Sequence, residues 1–199
     1  MNAYMDHQHR LWSGLLGTTI VSWSGPRYPF DWTDDNDAES GIFTRSDAEF
    51  EQLRHLIIKT ADGGVLSIKS QQDNIIFYLE IARDAPPVPR ERDQEADFSG
   101  MPIGTIEAVA LEGITGELVL KDGTVYTGDP VLQVVEATLT IDGKTVAIIA
   151  GEHQPDWDDG LHPYWADESV LVFDRAEKVN SLEWRGHRDD RVRIPLADD

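Results

Sequence analysis

The residues best suited to chemistry lie in segment 152–168 of the sequence. His153, Asp156, Asp158 and His162 supply two imidazoles and two carboxylates, the nitrogen and oxygen ligands that divalent metals take. Carboxylates placed near tryptophans are also typical of carbohydrate sites. One interpretation of this segment is therefore a metal-dependent or glycan-directed enzyme, with a divalent metal as the cofactor.

The same segment also has the composition of a protein interface. Aromatic side chains surrounded by carboxylates offer buried area to a partner and attract a cationic surface. Segment 122–174 holds eleven Asp and Glu residues against one Lys, a formal charge of −10. A second acidic loop, 31–39, enlarges this surface if it lies at the same end of the fold. The predicted partner-binding residues are Asp156, Trp157, Asp158, Asp159, Tyr164, Trp165, Asp34, Asp35 and Asp37.

Charge is the outlying property of the whole chain. The 199 residues include 37 Asp and Glu against 17 Lys and Arg, so the formal net charge is −20. Such a surface repels nucleic acids and anionic membranes and attracts basic proteins. An alternative explanation is a structural β-module whose surface is adapted to salt, with its carboxylates spread evenly. The arginines between residues 185 and 193 are expected to pair with the protein's own carboxylates.

Motifs for catalysis are scarce in the sequence. It contains no cysteine, no Gly-x-Ser-x-Gly elbow, no Walker A loop and no Gly-x-Gly-x-x-Gly fingerprint. The leading hypothesis is a non-enzymatic acidic binding protein that engages a basic protein and needs no cofactor. An immunity-type inhibitor of a cationic bacterial toxin is one example.

The elements that position these residues are predicted to be strands. Val135, Ala137, Leu139 and Ile141 alternate with polar residues, which indicates a half-buried strand. The Asp-Gly pairs at 142–143 and 122–123 predict tight hairpins, because a type I′ turn needs positive φ at both central residues. The Gly-Ile-Thr at 113–115 predicts another hairpin between strands 105–112 and 116–121.

Earlier in the chain, alternating apolar residues predict strands near 18–23, 54–60, 65–70 and 75–82. A capping box, Ser46 to Glu49, predicts a short helix over residues 47–54. Three prolines within residues 86–89 predict that segment 84–102 is a long surface loop. Residues 169–174 and 178–185 predict a final pair of strands.

The predicted fold is therefore mainly β. Two antiparallel meanders pack as a sandwich or an open barrel within a single domain, 1–199, with one short α-helix and termini that can be poorly ordered. The sequence contains no run of eighteen apolar residues and its first residues lack the features of a secretory signal, so a cytoplasmic location is expected.

Overall fold

A computed structural model describes residues 3–30, 41–42, 48–73, 76–88, 93–114, 117–119, 125–127, 133–153, 162–186, 188 and 191–196. These residues form one α-helix, α1 (Ala3–Ser13), and a 3₁₀ helix, Ala176–Ser181. Their strands are β1 (Thr19–Ser24), β2 (Pro29–Phe30), β3 (Gly41–Ile42), β4 (Glu51–Leu53), β5 (Leu56–Thr60), β6 (Val65–Asp73), β7 (Ile76–Arg83), β8 (Gly104–Ile114), β9 (Glu117–Val119), β10 (Val125–Thr127), β11 (Gln133–Ile141), β12 (Lys144–Glu152), β13 (Tyr164–Phe173) and β14 (Val192–Ile194).

Ten of these strands join one antiparallel sheet. Its order is β4-β13-β12-β11-β8-β1-β5-β6-β7, and β14 pairs with β8 beside this path. The sheet folds over, so that β6 and β7 pack against β11, β12 and β13. Within the described residues β4 and β7 are the two ends of the strand order, as in a sandwich or an open barrel. The prediction of a mainly β, antiparallel fold is confirmed.

Alternation of apolar residues places the core between the two halves of the sheet. Leu66 and Ile68 of β6 are buried while Lys69 is exposed, and Leu79 and Ile81 of β7 are buried opposite them. In β11 the predicted inward residues are completely buried: Val135, Ala137, Leu139 and Ile141. Burial follows the predicted period of two in the second half of β11, whereas residues 133–137 are buried on both faces.

The turn between β11 and β12 is the type I′ turn that the sequence predicts. Ile141 pairs with Lys144, and only Asp142 and Gly143 lie between them. Their φ angles are 46° and 74°, both positive as this turn requires. The second predicted Asp-Gly turn lies outside the described residues, although β9 and β10 on either side of it are paired.

The predicted hairpin at 113–115 is wrong. β8 continues to Ile114 and pairs with β1, β11 and β14 along its length. A Cβ on Gly113 would lie 2.0 Å from the carbonyl oxygen of Gln133. This glycine therefore permits a close approach of two strands and does not mark a turn.

The helix predicted over residues 47–54 is also wrong where the structure describes it. Glu51–Leu53 is the edge strand β4, and Leu53 pairs with Val170 of β13. Both Gln52 and Leu53 are fully buried, so sheet pairing and burial outweigh the local capping signal. The α-helix of the described chain is α1, which contacts β7.

The predicted last strand, 178–185, is replaced by the 3₁₀ helix. Lys178 lies 2.8 Å from the Asp174 carboxylate, four residues earlier. Trp184 donates its indole N–H to the carbonyl of Val179 at 2.7 Å, which holds the following segment against the helix. The Lys178 ammonium group and the Trp184 indole N–H therefore find their partners within this segment and not on another strand.

The described parts of loop 84–102 cross the surface and are fixed at several points. Asp93 pairs with Arg54 at 2.5 Å, Glu95 accepts from the backbone N–H of Gly25 at 2.9 Å, and Trp23 donates to the carbonyl of Pro102 at 2.7 Å. Strands from both sides of this loop join the same ten-stranded sheet. Among the described helices, none has the length and apolar character that crossing a membrane requires.

Candidate functional site

Segment 152–168 includes the end of β12, the connection 153–163 and the first part of β13. Gly151 pairs with Trp165 and Glu152 pairs with Tyr164, so His153 and His162 lie where the connection leaves and rejoins the sheet. Asp156, Trp157, Asp158 and Asp159 lie outside the described residues, as do Asp34, Asp35 and Asp37.

The two histidines predicted as metal ligands have different surroundings. His153 is 1% exposed, and its ring packs edge-on against Phe50 with centroids 6.0 Å apart. His162 faces Glu183, with Nδ1 3.7 Å from the carboxylate. In the described part of the chain, no group of three or more His, Asp or Glu side chains is arranged to hold a metal ion. The other two predicted ligands, Asp156 and Asp158, lie outside that part.

The two described aromatic residues of the predicted interface also differ. Trp165 is 4% exposed and belongs to the core, so it offers a partner almost no area. Tyr164 is partly exposed and accepts a hydrogen bond from Arg185 at 3.0 Å, while the guanidinium lies 5.5 Å from the centre of its ring. Tyr164 is therefore held in place at the edge of the sheet.

Four residues, 166–169, bulge out of β13. Consecutive residues of β12, Ala150 and Gly151, pair with Val170 and Trp165, so residues 166–169 have no partner on β12. Ala166 has a φ of 60°, in the left-handed region that side chains other than glycine rarely adopt. The Ser169 hydroxyl donates to the carbonyl of Gly151 and fixes one side of the bulge. Bulges of this kind redirect side chains away from a ladder.

The bulge turns two adjacent carboxylates toward Tyr28. The Tyr28 hydroxyl donates to Glu168 Oε1 at 2.8 Å. Asp167 Oδ1 accepts from the backbone N–H of Glu168 at 2.7 Å, and the Asp167 carbonyl accepts from the Ser70 hydroxyl at 2.8 Å. Strands distant in sequence thus fix the position of both acidic residues.

Burial and, to a smaller extent, neighbouring negative charges raise two pKa values at this point. Burial raises the pKa of the Tyr28 hydroxyl well above its usual range, and the hydrogen bond to Glu168 raises it further. The charges of Glu168, Glu152 and Asp167 act in the same direction. Burial also raises the pKa of the Asp167 carboxyl, and the Glu168 charge adds to this, although the hydrogen bond from the Glu168 N–H opposes it.

The ion pairs of the described Lys and Arg side chains involve other carboxylates. Among the described residues, seven Lys and Arg side chains form ion pairs with Asp or Glu, and neither Asp167 nor Glu168 is among their partners. The seven are Arg27, Arg54, Lys69, Arg83, Lys178, Arg188 and Arg191.

The expected internal pairing of the C-terminal arginines is confirmed for two of them. Arg188 contacts both carboxylate oxygens of Glu136 at 3.2 Å, and Arg191 pairs with Glu112 at 2.5 Å. These guanidinium groups therefore serve the fold, and among the described residues neither is paired with Asp167 or Glu168.

Gln52 brings together the points at which both acidic segments begin. Its backbone carbonyl accepts from the N–H of Tyr28 at 3.0 Å, and its side-chain oxygen accepts from the N–H of His153 at 3.1 Å. Tyr28 comes three residues before Asp31, and His153 comes three residues before Asp156. Tyr28 and His153, which precede the two acidic segments in the sequence, are thus both bonded to Gln52, and Tyr28 also contacts Glu168.

A cleft of about 520 Å³ opens beside this cluster. Its floor is the outer face of β6 and β7, where Ser67 pairs with Ala82 and Lys69 with Glu80. One wall is segment 85–88, and Tyr28 and Glu168 lie in the lining with Ser70. The volume is within the range of ligand pockets, roughly 300–1,000 Å³.

Sequence reasoning identified segment 152–168 as acidic but missed how it is held. The polar run 166–169 interrupts an apolar strand, and this interruption was the available signal for a bulge. Tyr28 carries no such signal, because its contact with Glu168 spans 140 positions of the sequence. Comparisons with protein-family models, with curated proteins and with solved structures found no match to this chain.

Proposed function

We propose that this protein is a non-enzymatic binding protein that engages a basic protein through its acidic end. We define the acidic end as Tyr28, Asp167 and Glu168; the acidic segments 31–39 and 156–159 lie outside the described residues and are included in the proposal from the sequence alone. An immunity-type inhibitor of a cationic bacterial toxin is an example of such a protein. The observation that carries the proposal is that Asp167 and Glu168 lie side by side with no described cation paired to either.

Electrostatics supports this assignment. Carboxylates that repel each other in a partly buried place gain when a positive charge approaches, because the cation relieves the repulsion that raises the Asp167 pKa. A surface of one sign also increases the rate at which an oppositely charged partner arrives. The expected consequence is a complex whose association slows as salt is added, since the Debye length shortens.

The test compares two variants of equal charge. Asp167→Asn with Glu168→Gln removes two charges at the acidic end. The control, Glu107→Gln with Glu177→Gln, removes two exposed charges near the turn at Asp142-Gly143, at the other end of β12. A fluorescent deca-arginine peptide serves as the probe for a basic surface, and its affinity is measured by anisotropy at low and high salt.

We expect the acidic-end variant to bind the peptide roughly 2- to 30-fold more weakly than the wild type at low salt, from about 0.2–1 kcal/mol for each lost charge contact. The control is expected to change affinity by less than about 2-fold, the lower bound of that range. Equal losses in the two variants would refute the proposal. They would mean that the acidity is an even property of the surface, as in a salt-adapted structural module.

A further inference from the structure

Among the described side chains that line the cleft beside the acidic end, Glu168 is a carboxylate with no ion-pair partner. Arg54 in its lining is paired with Asp93 at 2.5 Å, and Lys69 on its floor lies 3.7 Å from Glu80. Glu168 is exposed and has no ion-pair partner among the described residues. The charge left over in the cleft is therefore negative and lies at Glu168.

The hydrogen bond from Tyr28 leaves one oxygen of the Glu168 carboxylate available. Its hydroxyl donates to Glu168 Oε1, and in the described part of the chain Oε2 accepts no hydrogen bond. The Tyr28 oxygen keeps a lone pair, and the Glu80 carboxylate lines the same cleft. A ligand that enters here meets several acceptors and one unbalanced charge.

The opposite wall of the cleft is apolar and held in place. Ala85, Pro87 and Val88 line it, and Val88 is 85% exposed. The Ser67 hydroxyl donates to the carbonyl of Ala85 at 3.1 Å, which fixes the wall above the floor. An aliphatic chain can pack against this wall while its charged end reaches Glu168.

We infer that the cleft binds an arginine side chain, with its guanidinium at Glu168 and Tyr28 and its methylene groups against segment 85–88. A guanidinium presents five donors in a plane and is less strongly hydrated than an ammonium group, so it suits a partly enclosed place with several acceptors. This inference rests on the proposed function, because the basic partner supplies the arginine. The arginine side chain is then a specific anchor, in addition to the general attraction between the charges of the two proteins.

The experiment uses small probes that isolate this anchor. N-acetyl-arginine amide is titrated into the isotopically labelled protein and followed by NMR, and N-acetyl-citrulline amide provides a neutral group of the same shape. We expect the arginine compound to bind with millimolar affinity and to shift the amide signals of Ser70, Ala82 and Ala85. The citrulline compound is expected to bind at least about 10-fold more weakly, because a hydrogen bond between charged groups is stronger than one between neutral groups.

Two variants assign the effect to Glu168. Glu168→Gln keeps the size of the side chain and is expected to weaken binding of the arginine compound about 10-fold. Glu107→Gln removes an equal charge near the Asp142-Gly143 turn and is expected to leave the affinity within about 2-fold. Equal binding of the citrulline compound, equal binding of N-acetyl-lysine amide, or equal effects of the two variants would each overturn the guanidinium site.

The two proposals fail in different ways. If deca-arginine prefers the acidic end but N-acetyl-arginine amide does not shift Ala82 and Ala85, the cleft inference is wrong and the proposed function stands. If deca-arginine shows no preference for the acidic end, the proposed function itself is wrong.

Discussion

Gln8 of α1 completes the edge of the sheet, and replacing it tests how the fold is closed. β7 is the last strand in the sheet order, and no described strand lies beside its second edge. The Gln8 side-chain amide donates to the Ile81 carbonyl at 3.1 Å and accepts from the Ile81 N–H at 2.8 Å. Gln8 is 4% exposed, so these two hydrogen bonds are shielded from water. One side chain thus acts as the missing neighbouring strand.

The size of the effect follows from the groups left without partners. Gln8→Ala removes both hydrogen bonds and leaves the N–H and carbonyl of Ile81 under the helix. An unsatisfied buried polar group costs about 1–3 kcal/mol. We take the lower half of this range for each group, about 2–4 kcal/mol for both, because the structure around a truncated side chain relaxes in part. For a chain of this size that lowers Tm by roughly 4–16 °C.

The assay combines thermal unfolding with hydrogen exchange. Urea and thermal denaturation give the loss of stability, and exchange of the Ile81 amide reports the edge directly. His7→Ala is the control, because His7 is exposed on the same helix. A Gln8→Ala protein that loses no more stability than the His7→Ala protein, about 0.5 kcal/mol or less, would refute the role assigned to Gln8.

Two further predictions concern charged groups. The fold raises the Asp167 pKa, so the stability contributed by the protonated carboxyl is present below the ordinary Asp pKa and is lost as pH rises through the raised value. Asp167→Asn is therefore expected to be more stable than the wild type at pH 7 and nearly equal to it at pH 3. Urea denaturation at the two pH values measures this difference. Arg188→Met leaves the buried Glu136 without its ion-pair partner and is expected to lower the free energy of unfolding by about 3–5 kcal/mol. Adding Glu136→Leu is expected to recover most of that loss. A single variant as stable as the double variant would contradict this expectation.

The sequence predicted the strands whose two faces differ. Ile20, Ile58, Leu66 and Leu139 lie in strands that the alternation identified, and all are buried. The Asp142-Gly143 turn was predictable because its backbone demands residues that tolerate positive φ. Both signals are local, so they can be recognised without knowing which strands pair.

The elements that were predicted wrongly depend on distant partners. Gly113 resembles a turn residue in the sequence, but the contact that requires it is made with Gln133 of another strand. Residues 51–53 follow a helix-capping pattern, but β13 offers them backbone pairing and a buried face. In each case the deciding interaction is made with a residue far away in the sequence, so the neighbouring residues of the sequence give no sign of it.

The candidate site was predictable only in part, for the same reason. Asp167 and Glu168 belong to a segment whose acidity is evident from composition. Their neighbours are Tyr28 and Ser70, which lie 140 and 97 positions away along the chain from the residues they contact. The sequence states which charges are present, and the topology determines which of them remain uncompensated.

The cost of segment 166–169 to the fold is the strongest physical argument that its carboxylates have a use. In a continuous β13, residues 166–169 would also pair with β12, and the ladder would have no bulge. The observed arrangement interrupts that ladder, holds Ala166 in a left-handed conformation that costs about 1–2 kcal/mol, and places Asp167 where burial and Glu168 raise its pKa. Strain and unfavourable charge concentrated in one place are typical of functional sites, since packing alone selects against them. The same four residues put Glu168 at the mouth of the cleft and against Tyr28, so the local loss of stability and the proposed recognition of a cation have one structural origin.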